Sequence, residues 1–109
     1  MSCNVRIDTS SDYLLGKPIM LGETQIGYVN FGMHAKELTI TNIKIFDEHQ
    51  NQGYGTQVIK ILEQKAKQNS CERLFVFHAP NSRSERFWLR NGFIVVEKTA
   101  VFCDLEKKL

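Results

Sequence analysis

The sequence predicts a single mixed α/β domain with the element order β-β-β-α-β-α-β-β, arranged in three layers. Three observations support this fold class. Runs rich in β-branched residues fill the first part of the chain, an amphipathic helix pattern follows two closely spaced glycines, and a short apolar strand pattern leads into a second short helix. With 109 residues, 42% hydrophobic and 24% charged, the chain is long enough for one core. We therefore expect one domain over residues 1–109.

The strands come first. Residues 18–31 predict a β-hairpin, because two β-favouring runs flank a turn at residues 22–24 that contains glycine. A second turn at residues 32–36 leads to a strand over residues 37–46. Its apolar alternation slips by one position, because Leu38 and Ile40 fall on one face whereas Ile43 and Ile45 fall on the other. The slip predicts a β-bulge near residues 41–42, or a strand whose halves face different layers.

Two helices and three strands complete the pattern. An apolar stripe predicts an amphipathic helix that begins after the glycines and ends at residues 69–70; its members are Val58, Ile61, Leu62 and Ala66. Residues 73–79 are almost continuously apolar, which is typical of an interior strand covered on both faces. A short helix should follow, with Asn81 or Ser82 as its N-cap and residues 91–92 as its C-cap. Residues 93–109 predict a terminal hairpin with a turn near residues 97–99.

Composition and charge exclude several functional classes. The net charge is only +2 and the charges are mixed, so we expect no nucleic-acid partner. The three cysteines are far apart and no Cys/His cluster has metal-ligand spacing, so we expect reduced thiols and no metal site. The N-terminus has no signal-peptide pattern, and no apolar run approaches the ~20 residues of a membrane span. The sequence therefore indicates a cytoplasmic protein without membrane contact.

The glycines lie at a junction suited to an anion. The strands over residues 38–45 and 73–79 are joined through a helix, so they should be parallel neighbours, and ligands bind at the carboxyl ends of such strands. Gly53 and Gly55 stand at that end, directly before a helix whose first N–H groups have no partner within the helix. The loop fits neither GxGxxG nor GxxxxGK[ST]. On these residues alone, a phosphate cradle and a plain tight turn both remain open.

Two motifs taken together resemble a known family. The sequence QNQGYG at residues 50–55, an intervening strand, and NSRSERFWLRNGF at residues 81–93 resemble the GNAT superfamily of acetyl-CoA-dependent N-acetyltransferases. That family commonly has [RQ]-x-x-G-x-[GA] followed by N-x-x-A-x-x-F-Y-x-[KR]-x-G-F. The resemblance runs from about residue 18 to residue 109, and spacing, order and secondary structure agree. It implies central parallel strands that splay apart, with acetyl-CoA as the acetyl donor.

The resemblance also implies a set of cofactor-binding residues. The glycine loop would hold the pyrophosphate through N–H groups, the splayed strand would pair with the pantetheine arm, and Arg90 would meet the adenosine 3'-phosphate or else be a solvated helix residue. The full set is Ile43, Ile45, Gln50, Asn51, Gln52, Gly53, Tyr54, Gly55, Thr56, Asn81, Ser84, Phe87 and Arg90.

The catalytic groups are less well defined by the resemblance. Many family members use a tyrosine to protonate the departing CoA thiolate, but here the position is Trp88, whose indole N–H has no useful acidity. The base that removes a proton from the ammonium group often lies at the slot of Thr39, which cannot serve. Glu37, acting through a water, and His78 are the two candidates. The alternatives are an exposed strand-end charge for Glu37 and a hydrogen-bonded core histidine for His78.

Two functions follow from the resemblance. The first is an acetyl-CoA-dependent N-acetyltransferase that moves the acetyl group to a primary amine by direct attack on the thioester. The second is a CoA-binding or protein-interaction module without turnover. Residues 8–17 are too few for the helices that usually form the acceptor wall, so the acceptor side should be open. That suits a protein tail, a small amine, or a wall contributed by a second subunit in a homodimer.

Overall fold

The computed structural model describes residues 4–10, 16–80 and 83–109. The strands are β1 (Val5–Ile7), β2 (Lys17–Leu21), β3 (Thr24–His34), β4 (Glu37–Ile45), β5 (Arg73–Pro80), β6 (Ile94–Lys98) and β7 (Phe102–Lys108). The helices are α1 (Tyr54–Gln68) and α2 (Arg83–Arg90), and a 3₁₀ turn spans Asp47–His49. The mixed α/β class and the predicted order are confirmed, with β1 as an added strand. Three residues are too short to show an alternation, which is why the sequence did not reveal β1.

A seven-stranded sheet with the order β1-β2-β3-β4-β5-β7-β6 forms the framework. The central strands β4 and β5 are parallel, and their pairing runs only from Glu37↔Arg73 to Ile40↔Val76. Beyond those residues the two strands diverge, which confirms the predicted splay. The sheet therefore has an opening at the carboxyl ends of its two middle strands.

The irregularity predicted near residues 41–42 is a β-bulge. Asn30 pairs with Asn42 and Phe31 pairs with Ile40, so Thr41 is the extra residue of β4. Ile43 pairs with Val29, two residues from Phe31 on β3, and therefore returns to the face of Ile40. The bulge thus keeps both halves of the strand against one core.

Both helices pack against the same face of the sheet. The Lys107 ammonium group on β7 forms an ion pair with Glu63 of α1 and donates to the carbonyl of Asn91, just after α2. The helices also touch, because a Cβ added to Gly55 would lie 2.8 Å from the ring of Phe87. The core lies between the helices and the sheet and includes Leu38, Ile40, Leu62, Leu74, Trp88 and Leu105.

The described residues therefore form two layers, and the third predicted layer is not found among them. The expectation that residues 73–79 are covered on both faces is wrong for the same reason. Leu74 and Val76 are buried under the helices, but Phe77 on the opposite face is 46% exposed. The apolar run gave no sign of this because Phe75 and Phe77, on the opposite face, are as apolar as the buried residues, and Phe77 stacks on its neighbour His78 rather than under a further element.

The ends of the second helix and the last hairpin follow local rules. Gly92 has φ +90°, the Gly92 N–H donates to the carbonyl of Leu89, and the Phe93 N–H donates to that of Trp88. This confirms the predicted C-cap. The predicted N-cap at Asn81 or Ser82 lies outside the described residues. The last turn spans residues 99–101, two residues later than predicted.

Candidate active site

A cleft of about 600 Å³ lies where α1 begins, between the carboxyl end of β4 and α2. It is lined by residues 43–45, 49–51 and 53–56, and on α2 by Ser84, Phe87, Trp88 and Arg90. Most of the predicted cofactor-binding residues therefore come together. Gln52 does not line the cleft; its side-chain oxygen instead accepts a bond from the Tyr54 hydroxyl at 3.4 Å. Asn81 lies outside the described residues.

The start of α1 presents unpaired N–H groups to this cleft. Its first intrahelical hydrogen bond runs from the Gln57 N–H to the Gly53 carbonyl, so the N–H groups of residues 54–56 have no acceptor within the helix. No side chain caps the helix, and its first turn holds no acidic residue. These N–H groups and the helix dipole place partial positive charge at the junction, which favours an anion.

The two glycines of the loop are needed for different reasons. Gly53 is the N-cap of α1 with φ +81°, a conformation that other residues adopt only with strain, and a Cβ there would meet no atom within 4 Å. Gly55 already has helical geometry. Its constraint is the ring of Phe87, which leaves no room for a side chain. One glycine thus sets the turn, and the other allows α1 and α2 to meet at the cleft.

Gln50 fixes the loop to the end of β4. Its amide group donates to the carbonyl of Ile45 at 2.8 Å and to the carboxylate of Asp47 at 3.3 Å. This amide is therefore engaged within the protein, where it holds the loop backbone against the end of β4.

Basic side chains line the cleft on two sides. Lys44 contributes from β4, where it pairs with the exposed Asp47 at 3.4 Å. Arg86 and Arg90 contribute from α2, four residues apart and therefore on the same side of the helix. Arg90 was predicted as a cofactor-binding residue and Arg86 was not, although the four-residue spacing could have revealed it. The cleft therefore combines a helix start with three cations and the carboxylate of Asp47, and this excess of positive charge suits a polyphosphate.

A second cavity of about 50 Å³ occupies the opening between β4 and β5. Residues 40–43 and 76–79 form its sides, and Ser84 and Trp88 close it on the helix side. Ile43, Ser84 and Trp88 line both cavities. The large cleft therefore adjoins a slot between the two splayed strands, and these three residues lie between the two cavities.

His78 lies at this slot and is held by Asp104. Residues 77 and 78 of β5 face the single residue Asp104 of β7 in a bulge, and His78 has φ +55°. Asp104 accepts a bond from the His78 N–H at 2.7 Å and is 2.8 Å from the ring Nδ1. Burial raises the pKa of Asp104, but the bonds from His78 outweigh it and hold that pKa below its usual value. An ionised carboxylate only accepts, so the neutral ring carries its proton on Nδ1, and Nε2 is the basic nitrogen.

Two phenylalanines hold the His78 ring from its faces. The centroids of Phe77 and Phe102 lie 3.7 Å and 3.8 Å from that of His78, in stacked geometry. The side chain of His78 remains 42% exposed, whereas that of Asp104 is 12% exposed. The ring is thus fixed in orientation and still accessible. Sequence reasoning missed Asp104, since the pair is 26 residues apart and forms only through the bulge.

Glu37 lies at the other end of the sheet. It pairs with Arg73 where β4 and β5 begin, and the described part of the chain places it in neither cavity. Its carboxylate accepts bonds from Arg73 Nε at 2.8 Å and from the Thr39 hydroxyl at 2.6 Å. Burial raises the pKa of Glu37, but these hydrogen bonds and the Arg73 charge hold it below its usual value. A carboxylate engaged in this way is a poor base and a good structural partner.

A prediction follows for the pH dependence of stability. The lowered pKa of Glu37 means that its stabilisation is present above its ordinary pKa of 4.5 and is lost as the pH falls through the lowered value. We expect Glu37→Gln to reduce the free energy of unfolding by about 1 kcal/mol at pH 7, and by much less at pH 3. Denaturant unfolding at both pH values measures this. Glu72→Gln, which breaks an exposed pair with Lys36, is the matched control and should have no effect. Loss of activity at unchanged stability would contradict the structural role.

The comparisons with known proteins agree with this geometry. The sequence profile of the acetyltransferase (GNAT) family matches residues 4–93. Over 37 residues the chain is 46% identical to the uncharacterized N-acetyltransferase YobR of Bacillus subtilis (strain 168), a match that covers 34% of this chain and 15% of that protein.

Two crystal structures, both in complex with CoA, share the fold. The PaiA N-acetyltransferase of Thermoplasma acidophilum has a TM-score of 0.76 at 20% identity, over 85% of this chain and 59% of that one. An acetyltransferase of Bacillus subtilis has a TM-score of 0.76 at 14% identity, over 99% of both chains.

The family profile covers most of the chain, whereas the chain spans 15% of YobR and 59% of PaiA. No helix within residues 4–10, 16–80 and 83–109 is long and apolar enough to cross a membrane. The two motifs, the splayed strands and the profile match lead to one conclusion: the chain belongs to the acetyltransferase (GNAT) family.

Proposed function

We propose that this protein binds acetyl-CoA in the large cleft and transfers the acetyl group to a primary amine. The observation that carries the proposal is that the cleft adjoins the slot between β4 and β5, and that this slot is lined by His78, whose ring is held by Asp104. The cofactor would enter on the helix side, and the amine would approach from the uncovered face of the sheet.

The chain offers groups that fit each part of CoA. The N–H groups at the start of α1 suit the pyrophosphate, and Lys44, Arg86 and Arg90 add positive charge for the phosphates. Beyond Ile40, β4 pairs with β3 alone, so its other edge has free backbone groups facing the slot. An extended pantetheine arm would bind along that edge, at Ile43 and Ile45.

The amine must lose a proton before it can attack. The Nε2 atom of His78 would take this proton, and the Asp104 carboxylate would stabilise the resulting imidazolium through Nδ1–H. Acetyl-CoA, when bound, supplies the thioester carbonyl to which the nitrogen bonds as the C–S bond breaks. The products are an amide and CoA, whose thiolate takes a proton from water or from the imidazolium.

Trp88 is the reason for assigning no side-chain acid to the thiolate. It is 1% exposed and packs edge-to-face against Phe87 and Phe93, with ring centroids 5.0 Å apart in each pair. Its role is therefore to form the wall of the slot. A thiol has a pKa of about 8.5, so the thiolate leaves readily without a dedicated acid.

Direct transfer is favoured over an acetylated enzyme. Cys103 is fully buried, and burial raises the pKa of its thiol, followed by the effect of the Glu85 charge. Cys71 is partly buried beside the end of α1 and lines neither cavity. Neither thiol of the described ranges is placed to attack a thioester in the slot, and Cys3 lies outside those ranges.

Thiol release tests the proposed activity. The protein is incubated with acetyl-CoA and a panel of primary amines and peptides, and free CoA is measured over time. We expect release above the no-acceptor background with at least one amine, together with an N-acetylated product detected by mass spectrometry. Release that stays at background for every acceptor, while CoA binds tightly in calorimetry, would replace the enzyme with a CoA-binding module.

A further inference from the structure

The face of the sheet opposite the helices has a distinct surface around His78. Val76 and Leu105 pair with each other under the helices, so their neighbours along β5 and β7 point to the other side. We call this surface the open face and define it by Phe75, Phe77, His78, Phe102, Asp104 and Glu106. No helix within the described ranges covers it.

The open face is aromatic beside the proposed base. Phe77, His78 and Phe102 form one stack, with the imidazole in the middle. Phe77 is at one end of the stack and is 46% exposed. An exposed ring whose partner already orients it can take a further flat apolar group on its free surface.

The open face also favours a cation. Asp104 lies on it beside His78, whereas Glu106 and Glu37 lie toward the start of β5, where Arg73 pairs with both. Lys108, which pairs with Arg73 across β5 and β7, adds a second positive charge at that end, so the charge next to the His78 ring is the carboxylate of Asp104. This local negative charge attracts an ammonium group and disfavours an acceptor that carries a carboxylate or phosphate close to its amine.

We propose that the open face binds a primary amine carried on a flat apolar group, which stacks on Phe77 while the amino nitrogen meets Nε2 of His78. The inference rests on the proposed acetyl transfer for its chemistry, and it names the class of acceptor. A short methylene link between ring and amine, as in a 2-arylethylamine, suits a ring and a base that stand next to each other.

The first test compares acceptors. We expect kcat/KM for 2-phenylethylamine to exceed that for n-butylamine by about tenfold. Phe77→Ala should reduce this ratio to about twofold, and Phe77→Leu, which retains the apolar volume, should also reduce it. Leu89→Ala is the matched control, because Leu89 is likewise 46% exposed but lies on α2 outside both cavities; its ratio should stay at the wild-type value. Equal kcat/KM for both amines in the wild type would overturn the inference while acetyl transfer stands.

A binding measurement separates this inference from the proposed function. In CoA-loaded protein, 2-phenylethylamine should shift the NMR signals of the His78 and Phe77 rings, at concentrations at least about fivefold below those that n-butylamine requires. Such shifts without any acetyl transfer would support the acceptor site and contradict the proposed acetyl transfer. Absence of shifts at these two rings would overturn the acceptor site. A second outcome would also overturn it. If the protein is a dimer that Phe77→Ala dissociates, and the acceptor preference does not change, then a second copy of the chain occupies the open face.

Discussion

Gly53→Asp is expected to weaken CoA binding by about 100-fold or more. A Cβ at Gly53 meets no protein atom within 4 Å, so the new carboxylate would stand in the cleft beside the N–H groups of α1. Two like charges 4 Å apart repel by about 1 kcal/mol in water and about 4 kcal/mol near a protein surface, and a pyrophosphate carries more than one charge. The carboxylate would also accept the N–H bonds that the phosphate needs.

The matched control is Gly22→Asp. Gly22 also has positive φ, +62°, and its Cβ would meet no atom within 4 Å, so both variants have similar backbone strain. Gly22 lies in the β2–β3 turn, outside both cavities. Isothermal titration calorimetry with CoA should give wild-type affinity for Gly22→Asp and no measurable binding for Gly53→Asp. Wild-type affinity in a folded Gly53→Asp protein would mean that the start of α1 does not hold the pyrophosphate.

The second large effect is expected at His78. His78→Asn should lower kcat by about 10² to 10³, because a general base contributes about that much to acyl transfer to an amine that must first lose a proton. Asparagine tolerates the left-handed backbone of residue 78, so the variant should fold, and CoA affinity should stay within about twofold of wild type. Steady-state thiol release at saturating acetyl-CoA measures kcat.

Asp104→Asn and His34→Gln complete this series. Asp104→Asn retains an oxygen that accepts the His78 bonds but loses the charge that stabilises the imidazolium, so we expect about a tenfold lower kcat. His34 lies at the exposed end of β3, so His34→Gln is the control and should leave kcat unchanged. A full kcat in His78→Asn would remove His78 from the reaction and leave proton removal to water or to the acceptor itself.

Local patterns in the sequence were enough for much of the fold. The slipped alternation of residues 38–45 predicted either a bulge near residues 41–42 or a strand whose halves face different layers, and the structure has the bulge, at Thr41. The glycine junction before α1 and the C-cap at Gly92 were predicted because both depend on neighbouring residues. The short strand β1 and the two-layer arrangement of the described residues were not predicted, because both depend on tertiary packing between elements rather than on a local alternation of residues.

The candidate site, like the fold, was predicted from the sequence only in part. The glycine loop and α2 were predicted to meet, and they line one cleft. The partner of His78 could not be predicted, since Asp104 reaches it only through a bulge between two strands. Glu37 was proposed by counting back along a strand, and its pairing with Arg73 from another strand was not visible in that count. Long-range pairings of this kind decide which ionisable side chains are available for chemistry.

A crystal structure of the protein with CoA bound would show whether the cleft holds the cofactor in the proposed way. We expect this arrangement: pyrophosphate oxygens about 3 Å from the N–H groups at the start of α1, pantetheine along the free edge of β4, and the sulfur in the slot lined by His78. A pyrophosphate bound away from residues 53–56, or a sulfur that lies outside the slot between β4 and β5, would contradict it.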